Sequence, residues 1–328
     1  MATHRHSLIR AVAHGVVLLV CARSIAQSLV EVSDFGADPG NLRMFVYAPA
    51  GMPNNGGQRP LVVVLHGCSQ SAAGFAEQSG WNELADRAGF IVIYPQQRTG
   101  NNASHCFNWF LEKDIAKGGG EVASIHSMVK HAQSRWPIDS TRVFGMGVSA
   151  GAAMAVALGA CYPGTFHGVA SFAGAPYMCA LSAGEAWRAM RNPIARTANE
   201  WSTLVTSVGG QRHMVYPCMV ILQGAQDNTV DPRNALALVD QWTAVHGIDN
   251  KSDSTAARFL DHADLERMAY ADSTGSTRVV LYNFADVGHA LPVDPGSGPA
   301  QGGRTGVFAV DKDVHATYLI AREFGLVE

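Results

Sequence analysis

Seventeen residues, "RVFGMGVSAGAAMAVAL" at 142–158, restrict what this chain can fold into more than any other stretch. Arg142–Met146 reads as a short strand, and Ala150–Ala160 as a helix built from small residues. Between them lies Gly147-Val148-Ser149-Ala150-Gly151, a Gly-x-Ser-x-Gly at a strand-to-helix turn. A serine on such a turn is held in a strained backbone conformation at the end of a sheet strand, and its neighbours must be very small. The helix start behind it favours negative charge developing at the hydroxyl. Ser149 is therefore the candidate nucleophile rather than one more packing serine in an Ala/Gly-rich helix.

The surrounding sequence supplies the sheet. Leu42–Ala48, Leu61–His66, Phe90–Tyr94, Gly168–Ala173, Met219–Gln223 and Arg278–Phe284 read as strands, with Pro95 expected to stop the third. The turn-rich "PAGMPNNGGQRP" separates the first two. Helices are expected over Gly80–Ala88, capped by Gly89, over Glu121–Trp136, and over Asp313–Phe324. Strands alternating with helices imply a mostly parallel sheet covered on both faces, with ligands bound at the carboxyl ends of its strands.

A serine hydroxyl attacks only when a base takes its proton. In a sheet of this kind the partners follow in the order Ser, then Asp or Glu, then His. "AQDNTVDP" follows the strand "CMVILQG" and places Asp227 just past its end. "ADVGHALP" follows "RVVLYNF" and places His289 in the same way. Asp231, Asp286 and Asp294 stay open as competing acids on pattern alone. The oxyanion needs two backbone N–H groups. Ala150 offers one, and the early loop in "LVVVLHGCSQ" offers the other at Cys68. The His66 ring is expected to hold that loop, and His66 is placed beside the substrate.

Composition bounds the rest. The chain has 328 residues, 47% hydrophobic and 16% charged, enough apolar material for one large core. Arg5 and Arg10, the apolar run Ala11–Val20 and Ser24-Ile25-Ala26 resemble a secretory signal, so residues 1–26 are expected to be removed and residues 27–328 to form one secreted catalytic domain. Removal takes away three arginines and no acid, moving the net charge from −3 to −6. An acidic chain has no electrostatic reason to bind nucleic acid or an anionic membrane. Five cysteines remain beyond the signal, too irregularly spaced for a zinc knuckle. Cys68 and Cys106 both follow elements leading to the strand ends and are expected to pair; Cys179–Cys218 is the second pairing, leaving Cys161 free. Neither a metal nor an organic cofactor is expected, and oligomeric state stays open.

"LVVVLHGCSQSAAGF", "CFNWF", "DIAKGGGEVASI", "GVSAGAAMA" and "YPGTFHGVASFAGAPY", in this order, resemble the esterase/PHB-depolymerase family of α/β-hydrolases, with similarity running from about Phe35 to Leu326. The resemblance implies an α/β-hydrolase fold, ester hydrolysis, and Ser149, Asp227 and His289 as a triad, since the family's acid sits in the segment matching "GAQDNTV". It also implies the Cys68 amide in the oxyanion hole and Trp109 near the mouth of the site. Polyhydroxybutyrate-type polyesters or their oligomers are the implied substrates, with feruloyl or acetylxylan esters as the alternative. A binder that keeps the fold without catalysis, or a peptidase, would be the readings from other classes. The hydrolase-like residues extend almost to Glu328, which sets the expectation of soluble or amorphous esters over crystalline polymer.

Overall fold

A computed structural model describes residues 28–50, 57–209 and 215–328. The proposed signal and its cleavage site lie outside these residues. So does half of the turn at 49–60, residues 51–56.

The strands are β1 (Val30–Val32), β2 (Arg43–Tyr47), β3 (Arg59–Leu65), β4 (Ile91–Gln96), β5 (Ile138–Val148), β6 (Gly168–Phe172), β7 (Cys218–Gly224), β8 (Ser254–Ala256), β9 (Leu265–Ala271), β10 (Thr277–Phe284), β11 (Leu291–Val293) and β12 (Ala309–Asp311). The helices are α1 (Ala72–Ser79), α2 (Trp81–Ala88), α3 (Glu112–Ile115), α4 (Gly120–Arg135), α5 (Ala150–Cys161), α6 (Ala183–Arg191), α7 (Ala198–Gly209), α8 (Arg233–His246) and α9 (Ala316–Glu323). Among the described residues ten strands form one sheet in the order β1-β2-β4-β3-β5-β6-β7-β10-β9-β8. From β4 to β10 every neighbouring pair is parallel, and both flanks are antiparallel. β11 and β12 pair separately.

The parallel strands are near-continuous apolar runs because both sheet faces are covered. In β3, "RPLVVVL", six of seven residues are buried. Even and odd positions feed two cores: Leu61, Val63 and Leu65 pack with α4 and α5 residues, while Val62 and Val64 pack with α1, α2 and α9 residues. Every residue of α5 is buried, and its Ala/Gly composition lets the helix axis lie close against the sheet.

Pro95 does not stop β4, which continues to Gln96. Pairing of β4 with β3 ends at Ile93, so at Pro95 the strand has only β2 beside it and no second ladder loses a donor. The β8–β9 flank and α1, α6, α7 and α8 extend the pattern seen in the sequence.

Candidate active site

Parallel strands deliver their carboxyl ends to one edge, and that edge gathers the candidate residues. Ser149 follows β5, Cys68 follows β3, Asp227 follows β7 and His289 follows β10. Ser149 has φ 54° and ψ −120°, a conformation rare for a side-chain-bearing residue. The flanking glycines are demanded by close approach, not by their own torsions. A Cβ on Gly147 would lie 2.2 Å from the Gly151 carbonyl oxygen, and one on Gly151 would lie 2.5 Å from the His66 carbonyl oxygen. The elbow is thereby pressed against the Cys68 loop.

His289 Nε2 is 3.0 Å from Ser149 Oγ, and His289 Nδ1 is 2.7 Å from Asp227 Oδ2. The other carboxylate oxygen of Asp227 accepts the Thr229 and Val230 amides, each at 2.8 Å. Burial alone would raise the Asp227 pKa. The His289 hydrogen bond and charge, together with those two amides, outweigh burial and hold it below the usual carboxylate value. The acid side chain is fully buried and the imidazole only 18% exposed, so the pair is screened little by solvent.

The competing acids are engaged elsewhere. Asp231 forms a two-pronged ion pair with Arg233 and also accepts its amide. Asp286 pairs with Lys312, and Asp294 accepts from Gln301. Asp294, Asp311 and Asp313 bring carboxylate oxygens within 4.8 Å of one another, but none of them lines a cavity at Ser149.

Cys68 and Ala150 line the same cavity as Ser149. The Ala150 amide opens α5 and has no carbonyl one turn behind it. The Cys68 amide is aimed by its own peptide plane. Gln97 N–H donates to His66 Nε2, so His66 carries its proton on Nδ1 and donates it to the Gly67 carbonyl at 2.7 Å. In a trans peptide the C=O and N–H point in opposite directions, so Cys68 N–H is turned away from His66. Burial drives the His66 pKa down to about 4, which keeps the ring neutral and Nε2 free to accept.

His66 was expected both to hold the loop and to contact substrate. It does the first and not the second: it is 1% exposed, both ring nitrogens are engaged, and it lines neither cavity at Ser149. Trp109 does line one of them. Cys68 is bonded to Cys106, closing a 38-residue separation. Cys179 and Cys218 are not paired, contrary to expectation. Cys218 begins β7 opposite Gly168, while Cys179 lies beyond the far end of the parallel strand β6, so the two belong to opposite edges of the sheet. Peptide mapping without reduction should recover Cys68 joined to Cys106, with Cys161, Cys179 and Cys218 as thiols. Cys106→Ser should lower stability by about 3 kcal/mol in reversible unfolding. Recovery of Cys68 as an alkylated thiol would overturn the bridge.

Two cavities meet at Ser149, Cys68 and Met190. One, of about 130 Å³, is walled by Trp109, Phe110, Trp187, Met190, Val230 and a floor of alanines. The other, of about 240 Å³, is lined by His289, Gln70, Thr229, Leu291 and Phe308. Trp187 and Met190 come from α6, a helix not foreseen in the sequence. Its signal was present: Ser182 caps the Glu185 amide, and the Glu185 carboxylate returns to the Leu181 amide. Ser-x-x-Glu is a helix-start pattern.

The family described as Esterase PHB depolymerase matches residues 42–266. The chain belongs to this family. Poly(3-hydroxyalkanoate) depolymerase C of Paucimonas lemoignei is 40% identical over 312 residues, spanning 95% of this chain and 73% of that protein. Feruloyl esterase B of Talaromyces stipitatus is 32% identical over 277 residues, spanning 82% and 74%. Among solved structures, an acetyl xylan esterase from Aspergillus awamori superposes with a TM-score of 0.73 at 27% identity, covering 80% of this chain and 94% of that one. The fold is that of the α/β-hydrolases, and the chain is a carboxylic ester hydrolase.

Proposed function

We propose that Ser149 is the nucleophile, His289 the general base and acid, Asp227 the residue that orients the imidazole, and the Cys68 and Ala150 amides the oxyanion donors. One observation carries this reading: the unbroken hydrogen-bonded line Asp227–His289–Ser149. Ser149 Oγ bonds to the ester carbonyl carbon while its proton passes to His289 Nε2, and the carbonyl π pair moves onto oxygen between the two amides. Collapse breaks the bond to the alcohol oxygen, which takes the proton from His289. Water then repeats the sequence on the acyl-enzyme, giving the acid and free Ser149.

The leaving oxygen must lie within reach of His289, so the alcohol departs toward the cavity lined by His289. The acyl group then occupies the cavity under Trp109 and Trp187. Its wall is almost wholly apolar, which suits a short aliphatic acyl unit. The likeness to a poly(3-hydroxyalkanoate) depolymerase supports polyhydroxybutyrate-type esters or their oligomers as substrate. The likeness to the solved acetyl xylan esterase supports a second reading, acylated polysaccharide. A turnover panel of 3-hydroxybutyrate oligomers, feruloyl esters and acetylated xylan decides between them: fastest release from the oligomers is expected, and fastest release from acetylated xylan would replace the first reading by the second. Export of the chain is part of the same proposal. It is supported by the signal-like N-terminus and the Cys68–Cys106 bridge. Among the described residues no helix is long and apolar enough to cross a membrane.

A further inference from the structure

Glu121, in the first turn of α4, is 1% exposed and lies outside both cavities at Ser149. Its carboxylate receives three N–H donors: Gln97 Nε2 at 2.6 Å and Asn108 Nδ2 at 2.9 Å on Oε1, and the Asn108 amide at 2.8 Å on Oε2. A charge so deeply buried costs several kcal/mol unless its hydrogen bonds are complete, so it is kept for what it holds.

What it holds are the two supports of the Cys68 amide. The first runs through Gln97. Its side chain is clamped by Glu121, its backbone N–H fixes the His66 ring, and that ring fixes the Gly67 carbonyl and hence the direction of Cys68 N–H. The second runs through Asn108 and the segment before it. Gln97 Nε2 also donates to the Cys106 carbonyl at 3.0 Å, and Cys106 is bonded to Cys68. The same segment ties back once more, with Ser69 N–H donating to the Ser104 carbonyl at 2.7 Å. Both arms start at one carboxylate.

We infer that Glu121 is a positioning residue for the oxyanion hole, setting the aim of the Cys68 N–H through the His66 ring and the Cys106 bridge. This rests on Cys68 being an oxyanion donor. Burial raises the Glu121 pKa above the usual carboxylate value, and the Gln97 and Asn108 bonds oppose that rise by favouring the ionised form. All three partners are donors, an arrangement that a carboxylate satisfies in full.

Glu121→Gln keeps the size and changes the chemistry. With the amide oxygen left facing the two side-chain donors, its NH2 meets the Asn108 backbone N–H, and the two donors push apart. A displaced oxyanion donor weakens binding of the tetrahedral state and leaves ground-state binding nearly untouched. The experiment measures kcat per serine titrated by the acylation burst, KM for a short-chain p-nitrophenyl ester, and Ki for an aliphatic trifluoromethyl ketone. Ser149 adds to that ketone, its proton going to His289, and leaves an oxyanion in the hole. Glu121→Gln should lower kcat per titrated site about tenfold and weaken the ketone by a similar factor, with KM within about twofold. Unchanged kcat per site and unchanged Ki would overturn the inference, since activity lost only through fewer folded molecules does not move either. Should that variant fail to fold, Asn108→Ala removes one donor and keeps the backbone amide; it should shift both quantities in the same direction, and no shift refutes the inference. Ser149→Ala binding the ketone as tightly as the unmodified enzyme would sink the underlying site assignment instead, whatever Glu121→Gln does.

Discussion

Ser149→Ala is expected to fold normally and to lose at least about three orders of magnitude in kcat. The loss is that large because, among the described residues, no other hydroxyl is bonded to His289; its two ring nitrogens are committed to Ser149 and Asp227. The fold should survive because alanine removes only the Oγ and keeps the small Cβ that the elbow already accommodates. The variant should still bind ester, since the cavity walls and both amides remain. Steady-state turnover of a short-chain p-nitrophenyl ester by purified variant, with circular dichroism as the control for folding, is the measurement. A folded variant retaining a tenth of the activity would remove Ser149 as nucleophile.

Asp227→Asn should come next in size, with a loss of about 10³–10⁴-fold in kcat, while Asp231→Asn stays within a few-fold. The geometry explains why an isosteric change is so costly. One oxygen of Asp227 is tied to the Thr229 and Val230 amides, which only an oxygen can accept, so the asparagine oxygen must remain there. The NH2 group then faces His289 Nδ1 and donates to it. That places the imidazole proton on Nε2, the nitrogen that has to take the serine proton, and the ring is held in the wrong tautomer. Asp231 makes no such contact. Its carboxylate serves Arg233 at the start of α8, so its loss touches a partly exposed ion pair worth about 1 kcal/mol or less. Comparing kcat/KM of the two variants checks this, and the opposite ranking would move the acid to Asp231.

Much of this protein was legible in its sequence. Strand–Gly-x-Ser-x-Gly–helix is a local pattern, and the close packing of Gly147 and Gly151 shows why residues that short had to flank Ser149. The central strands stood out because both faces of a parallel sheet are buried, so their apolar runs are unbroken. Placement past strand ends pointed to His289 and to the segment that holds both Asp227 and Asp231 for the same topological reason. Similarity between neighbouring motifs carried the family.

What the sequence left open depended on direction and distance between segments far apart along the chain. Asp227 and Asp231 lie past the same strand, and only the folded chain turns one toward His289 and the other toward Arg233. Cys179 and Cys218 are both cysteines near the sheet, but which edge each occupies is a property of strand direction in space, not of spacing. His66 could be placed on the oxyanion loop from its neighbours, yet its ring faces inward because the Gln97 amide and Gly67 carbonyl are there to receive it. Glu121 read as one polar residue at the start of a helix, and its role came into view only once Gln97 and Asn108 closed around it. Local pattern determines which elements form and where a reactive side chain stands along the chain. Tertiary packing alone decides which way a buried polar group points, because that is settled by the hydrogen-bond partners that distant segments bring to it.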